Sequence, residues 1–100
     1  EFVRDSVIQR FEFSFELSWK TLQKVLELNK PLEDSSVKGI LREAARLGLI
    51  QNLDLWFEFH TARNLTSHTY NETSAEEVYK VAMKVPKEIE FLLNKIEKTN

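Results

Sequence analysis

Residues 2–29 read FVRDSVIQRFEFSFELSWKTLQKVLELN, and this stretch decides the fold. No Gly or Pro interrupts it. Val3, Val7, Phe11, Phe15, Leu22 and Leu26 share one helical face, and Ile8, Trp19 and Val25 widen the stripe. The pattern predicts one helix from Phe2 to about Asn29. At about 1.5 Å per residue it is on the order of 40 Å long. Phe13 and Leu17 fall partly off the main face. They predict a helix covered on more than one side, or one that also meets a partner chain.

Downstream of it, Pro31 cannot continue the helix and biases Lys30 away from helical angles. Asp34-Ser35-Ser36 reads as an N-cap cluster. A short helix then reaches about Leu47, with Val37, Ile40, Leu41, Ala44 and Ala45 inward. Gly48 suits the left-handed residue that follows a helix end, while Gly39 weakens the helix slightly. Asn52 caps a third helix running from Leu53 towards His68, with Leu55, Trp56, Phe59, Ala62 and Leu65 at helical spacing. Ser74 and Glu77 fit a capping box for the last helix. That helix runs to the C-terminus, and Pro86 inside it predicts a kink, because its ring clashes with the Ala82 carbonyl. The reading is all-α: one domain over residues 1–100, an antiparallel up-and-down helical bundle of three long helices plus one short. So small and aromatic a bundle leaves an apolar strip to cover, so dimerisation is expected.

Composition narrows the function classes. Fourteen Lys and Arg stand against sixteen Asp and Glu, a net charge of −2. That balance gives no reason to expect a large basic footprint for duplex nucleic acid or a polybasic patch for anionic lipid. Apolar residues make up 42%, too many for a disordered chain. The absence of Cys excludes disulfides, thiolate zinc sites and cysteine nucleophiles, and fits a cytoplasmic location. No apolar run approaches the roughly 20 residues that span a bilayer.

The polar cluster that stands out is Arg63-Asn64-Leu65-Thr66-Ser67-His68-Thr69-Tyr70. At about 100° per residue, Arg63, Asn64, Ser67, His68 and Tyr70 share one side of the helix end, and Leu65 points into the bundle. These groups suit phosphodiester chemistry. Arg offers a permanent charge and a planar fork to phosphate oxygens. His exchanges a proton near neutral pH, so it can take one from a ribose 2′-hydroxyl or return one to a leaving oxygen. Asn64, one turn before His68, can orient the ring or the phosphate. No metal or cofactor is required if Arg63 stabilises the developing charge. A single His is hard to use as base and acid at once. Two copies facing across a two-fold axis supply both.

Arg63-Asn64-x3-His68-x-Tyr70 resembles the R-x4-H-x-Y motif of the HEPN superfamily. More narrowly, the chain resembles the branch paired with minimal nucleotidyltransferases, the nucleotidyltransferase substrate-binding proteins. Val7-Ile8-Gln9-Arg10-Phe11-Glu12-Phe13 and Glu16-Leu17-Ser18-Trp19-Lys20 are similar to that family's first block. Arg42-Glu43-Ala44 and the Trp56 segment extend the likeness over essentially the whole chain. The resemblance implies a bundle that dimerises with its motif helices near the two-fold axis. It implies a metal-independent endoribonuclease, the toxin of a toxin–antitoxin pair, with Arg63 and His68 as catalytic pair and Asn64 assisting. It implies a cognate nucleotidyltransferase as antitoxin, inactivating the toxin by attaching AMP to Tyr70. The family usually carries one more helix before this start. The chain begins at Glu1 without a Met, as the trimmed part of a longer protein would.

Two other readings stand beside the ribonuclease. One is a non-catalytic substrate-binding subunit of the nucleotidyltransferase, which the weak basic balance favours. The other is a purely structural helical dimer. Elsewhere, His60 reads as a partly buried or dimer-facing side chain rather than a ligand. Lys20 and Lys24 read as a solvated face, and Phe11, Phe13 and Phe15 as core and dimer contact. Glu12 and Glu16 read as an exposed carboxylate row, from which Glu16 can reach the motif across the bundle.

Overall fold

The structure, a computed structural model, describes residues 2–28, 30–68 and 71–99. It is all-α: α1 (Phe2–Leu26), α2 (Val37–Arg46), α3 (Leu53–Leu65), a 3-10 turn (Thr66–His68), α4 (Glu72–Ala82) and α5 (Val85–Thr99). No strand occurs among the described residues.

α1 is the central element and packs against each of the other four helices. It buries Ile8, Phe11, Phe15, Leu22 and Leu26. Ser18 is buried on the same stripe, and its hydroxyl donates to the Ser14 carbonyl at 2.7 Å. α3 runs antiparallel to α1. Phe11 meets Phe59 and Phe15 meets Trp56, so ascending positions on one helix pair with descending positions on the other. α4 reverses again and lies along α1 in the same direction, with Arg4 bridging Glu72 and Glu76. The core fills the space between these three helices and α2, with Trp56, Phe15, Phe59, Leu22, Ile40 and Leu41 among its largest fully buried side chains.

Local chemistry sets most boundaries as the sequence predicts. The Ser36 hydroxyl accepts from the Gly39 N–H at 3.0 Å, and Asn52 Oδ1 accepts from the Leu55 N–H at 3.1 Å. Gly48 has φ +78, the left-handed conformation expected after α2. Gly39 does more than weaken its helix. A Cβ there would lie 2.5 Å from the Asp34 carbonyl oxygen and 2.3 Å from Asp34 Cγ, so the loop before α2 closes only against a glycine. Gly39→Ala is expected to destabilise the domain by about 1–3 kcal/mol, the overpacking penalty outweighing the better helix propensity of Ala. Urea unfolding followed by circular dichroism measures it.

Four expectations are corrected. α1 ends at Leu26, short of Asn29, which lies outside the described residues. Val3 is 70% exposed and does not belong to the core. Asn71, not Ser74, caps α4: its Oδ1 accepts from the N–H groups of Thr73 at 2.9 Å and Ser74 at 3.3 Å. An Asn can cap with its own short side chain, and it sits where the chain leaves the motif turn. Finally, Pro86 causes a break rather than a kink. α4 stops at Ala82, the residue whose carbonyl the ring would strike, and α5 restarts at Val85. Pro86 then falls in the first turn of α5, where its missing N–H has no intrahelical acceptor to lose.

Candidate functional site

Arg63 sits in the last turn of α3, where the helix tightens into the 3-10 turn of Thr66–His68. Local hydrogen bonds hold this corner. The Thr66 hydroxyl lies 2.7 Å from the Arg63 carbonyl, the Ser67 hydroxyl donates to the Asn64 carbonyl at 3.2 Å, and the Asn71 N–H donates to the His68 carbonyl at 3.1 Å. The motif turn is thereby fixed between the end of α3 and the cap of α4.

The guanidinium of Arg63 turns towards α1. Its Nη1 donates to Thr66 Oγ1 at 3.2 Å and stands 3.7 Å from Glu12 Oε2. Thr66 Oγ1 is in turn 3.0 Å from that same carboxylate oxygen. Arg63 lines a cleft of about 310 Å³ together with Gln9, Glu12, Phe13 and Glu16, all four from α1. Phe13 of the cleft wall and Leu17 one turn on are 71% and 69% exposed, an apolar strip that the described residues leave uncovered.

The sequence-predicted site residues fare differently. Arg63 and Asn64 occupy the last helical turn, Arg63 half-buried and Asn64 exposed. His68 is exposed and ends the 3-10 turn. That turn advances about 120° per residue rather than about 100°, so His68 lies farther round from Arg63 than α-helical geometry places it. Tyr70 lies outside the described residues. Among the described residues no three His, Asp or Glu side chains gather as a metal site.

Glu12 is the residue that sequence reasoning missed. It read as exposed surface, and reach across the bundle was assigned to Glu16. Both carboxylates line the cleft, but Glu12 is the one within reach of Arg63 and Thr66. The available signal was its position between Phe11 and Phe15: a residue flanking the buried stripe of α1 borders the next helix.

His60, two turns before His68, packs its ring 6.1 Å from that of Phe15. Burial lowers its pKa from the ordinary value, and the nearby Lys38 charge lowers it further. The folded state therefore resists a proton that the unfolded chain takes up near pH 6.5. Stability is full above that pH and declines as pH falls towards the lowered folded value. Urea midpoints at pH 7.5 and 5.5 should separate more in the native chain than in His60→Gln.

Comparison with known proteins places the chain in a family. Residues 1–98 match the family described as nucleotidyltransferase substrate binding protein like, and the chain belongs to that family. It is thereby a member of the nucleotidyltransferase-paired branch of the HEPN superfamily that the Arg63 motif resembles. It is 38% identical over 97 residues to the probable ribonuclease HepT of Haemophilus influenzae. The match covers 93% of this chain and 66% of that relative, so the chain spans just under two thirds of the relative's length. No helix among the described residues is long and apolar enough to cross a membrane.

Proposed function

We propose that the protein is a metal-independent endoribonuclease, the HEPN-type toxin of a pair whose antitoxin is a minimal nucleotidyltransferase. The observation that carries this reading is Arg63 at the mouth of the cleft, held through Nη1 with the rest of its fork unbonded by any described residue. A half-held guanidinium suits a bidentate grip on phosphate oxygens. His68, one turn on and exposed, is the base: it takes the proton of a ribose 2′-hydroxyl. The 2′-oxygen attacks phosphorus, the bond to the 5′-oxygen breaks, and that oxygen leaves with a proton from an acid. The products are a 2′,3′-cyclic phosphate and a 5′-hydroxyl. Arg63 stabilises the charge that grows on the phosphorane oxygens, and Asn64 assists by orienting.

The acid is His68 of a second copy. The greater angular separation of Arg63 and His68 within one chain favours a cleft shared by two chains. The exposed Phe13 and Leu17 beside the cleft give a homodimer apolar area to bury. Attachment of AMP to Tyr70, two residues after His68 in sequence, would add a phosphate anion that competes with substrate for Arg63. A second reading, a non-catalytic substrate-binding subunit of the nucleotidyltransferase, is favoured by the net charge of −2, since RNA binding usually draws on more positive surface.

The test is cleavage of RNA by the purified protein in EDTA. The native chain should yield cyclic phosphate ends, and His68→Ala should lose about 10²-fold or more in rate, the usual share of a general base. Equal rates in both would reject the ribonuclease. Stable co-purification with a nucleotidyltransferase and no cleavage would establish the second reading.

A further inference from the structure

We propose that Glu12 is the positioning residue of the Arg63 guanidinium, fixing one edge of the fork through Thr66 so that the other edge faces a single phosphate group. The inference rests on the ribonuclease reading of Arg63, and it adds a role for α1 that the motif does not contain.

The bonding geometry sets out the division. Nη1 of Arg63 donates to Thr66 Oγ1 at 3.2 Å, and Glu12 Oε2 lies 3.7 Å from the same nitrogen. The single Thr66 proton is shared between two acceptors, Glu12 Oε2 at 3.0 Å and the Arg63 carbonyl at 2.7 Å. When it points to Glu12, carboxylate, hydroxyl and guanidinium form one chain of bonds from α1 to the end of α3. Nε and Nη2 make no hydrogen bond to any described residue, so two adjacent donors remain for phosphate. Glu12 is well placed to hold this arrangement. Its neighbours Phe11 and Phe15 are 3% and 1% exposed, which locks the α1 backbone under it. A free arginine side chain loses rotamer entropy when it binds, and a fork already oriented loses less of it.

The same carboxylate also opposes an anion. At 3.7 Å it offsets part of the Arg63 charge, weakly, because both side chains are more than a third exposed. Orientation and charge therefore separate in two substitutions. Glu12→Ala removes both the acceptor and the charge. Glu12→Gln keeps an acceptor for the Thr66 hydroxyl and removes the charge.

The experiment reads the guanidinium directly. Arginine-labelled protein is observed by ¹⁵N NMR, with the Arg63 Nε–H signal assigned by its loss in Arg63→Lys, and inorganic phosphate is the titrant. Native protein and Glu12→Gln should show a sharp, dispersed Arg63 signal, while Glu12→Ala should move it to the averaged position of a free side chain. Phosphate should bind Glu12→Gln about threefold tighter than native protein, the size of one exposed charge pair. In cleavage assays Glu12→Gln should lower KM, whereas Glu12→Ala should lower kcat by on the order of tenfold or more through lost alignment. An Arg63 signal and phosphate affinity unchanged in both variants would overturn the proposal. So would an equal response to Glu16→Gln, which lines the cleft without bonding Arg63. Should the Arg63 signal respond as described while no chain cuts RNA, the positioning role stands and the ribonuclease reading falls.

Discussion

Trp56→Ala is expected to cost about 3–5 kcal/mol, the range for deleting a large buried aromatic, out of a total stability of about 5–15 kcal/mol for a domain. Trp56 is fully buried in the first turn of α3. Its ring stands 5.1 Å from Phe59 in an edge-on arrangement and 6.2 Å from Phe15 across the bundle. Removing it deletes one of the ring contacts that join α3 to α1, and the flanking rings cannot collapse into the space, because Phe15 and Phe59 are themselves packed on every side. The indole also carries a hidden cost. Its Nε1 is buried without an acceptor among the described residues. An unpaired buried donor costs about 1–3 kcal/mol, so Trp56→Phe should lose far less than its change in volume suggests. Thermal unfolding by circular dichroism separates the two variants. A drop on the order of 20 °C for alanine follows from about 4–8 °C per kcal/mol in a domain this size. A fall of less than 1 kcal/mol for alanine, or equal losses for both variants, would show that this ring does not hold the bundle.

That α1 is a helix was legible from the stripe along its whole length, whereas its middle read alone is ambiguous. Phe11-Glu12-Phe13-Ser14-Phe15-Glu16-Leu17 alternates apolar and polar, as a half-buried strand would. On a helix that alternation has a consequence: Phe11 and Phe15 go to the core, and Phe13 and Leu17 are left outside. The off-face positions were visible beforehand, but what covers them depends on a surface beyond this chain. The cap at Ser36, the cap at Asn52 and the turn at Gly48 were readable because each depends on a side chain or φ angle within three residues. Pro86 was readable as a disruption, but its form was not. Whether a chain bends or breaks depends on what the freed groups at Ala82 and Met83 find, and here the Met83 and Lys84 N–H groups bond back to Tyr79 and Val81.

The candidate site divides in the same way. Arg63 and His68 are recognisable from their spacing in one segment. The contact between Glu12 and Thr66 spans residues far apart in sequence and exists only once α1 and α3 lie antiparallel at that register. The tightening at Thr66 was also hidden, because the helical periodicity of apolar residues stops at Leu65 and leaves the polar residues after it without a phase.

Arg63→Ala is expected to slow RNA cleavage by about 10²–10³-fold, the loss that follows removal of one preorganised donor at a developing oxyanion. The fold should scarcely register the change. Among the described residues the Arg63 side chain bonds only Thr66 and stands opposite Glu12, both at a half-exposed corner, and such pairs contribute about 0–1 kcal/mol. Arg63→Lys separates charge from shape. Lysine keeps the positive charge but lacks the planar fork, so it cannot hold Thr66 on one edge and two phosphate oxygens on the other. Its rate should fall between those of the native chain and alanine. On the proposed mechanism the guanidinium and the imidazole act on one transition state, so Arg63→Ala combined with His68→Ala should be little slower than either alone. Multiplying losses in the double variant, with unfolding curves unchanged, would mean that the two side chains work at separate sites. A rate for Arg63→Ala equal to that of the native chain would remove Arg63 from the chemistry and leave the motif turn as a binding surface.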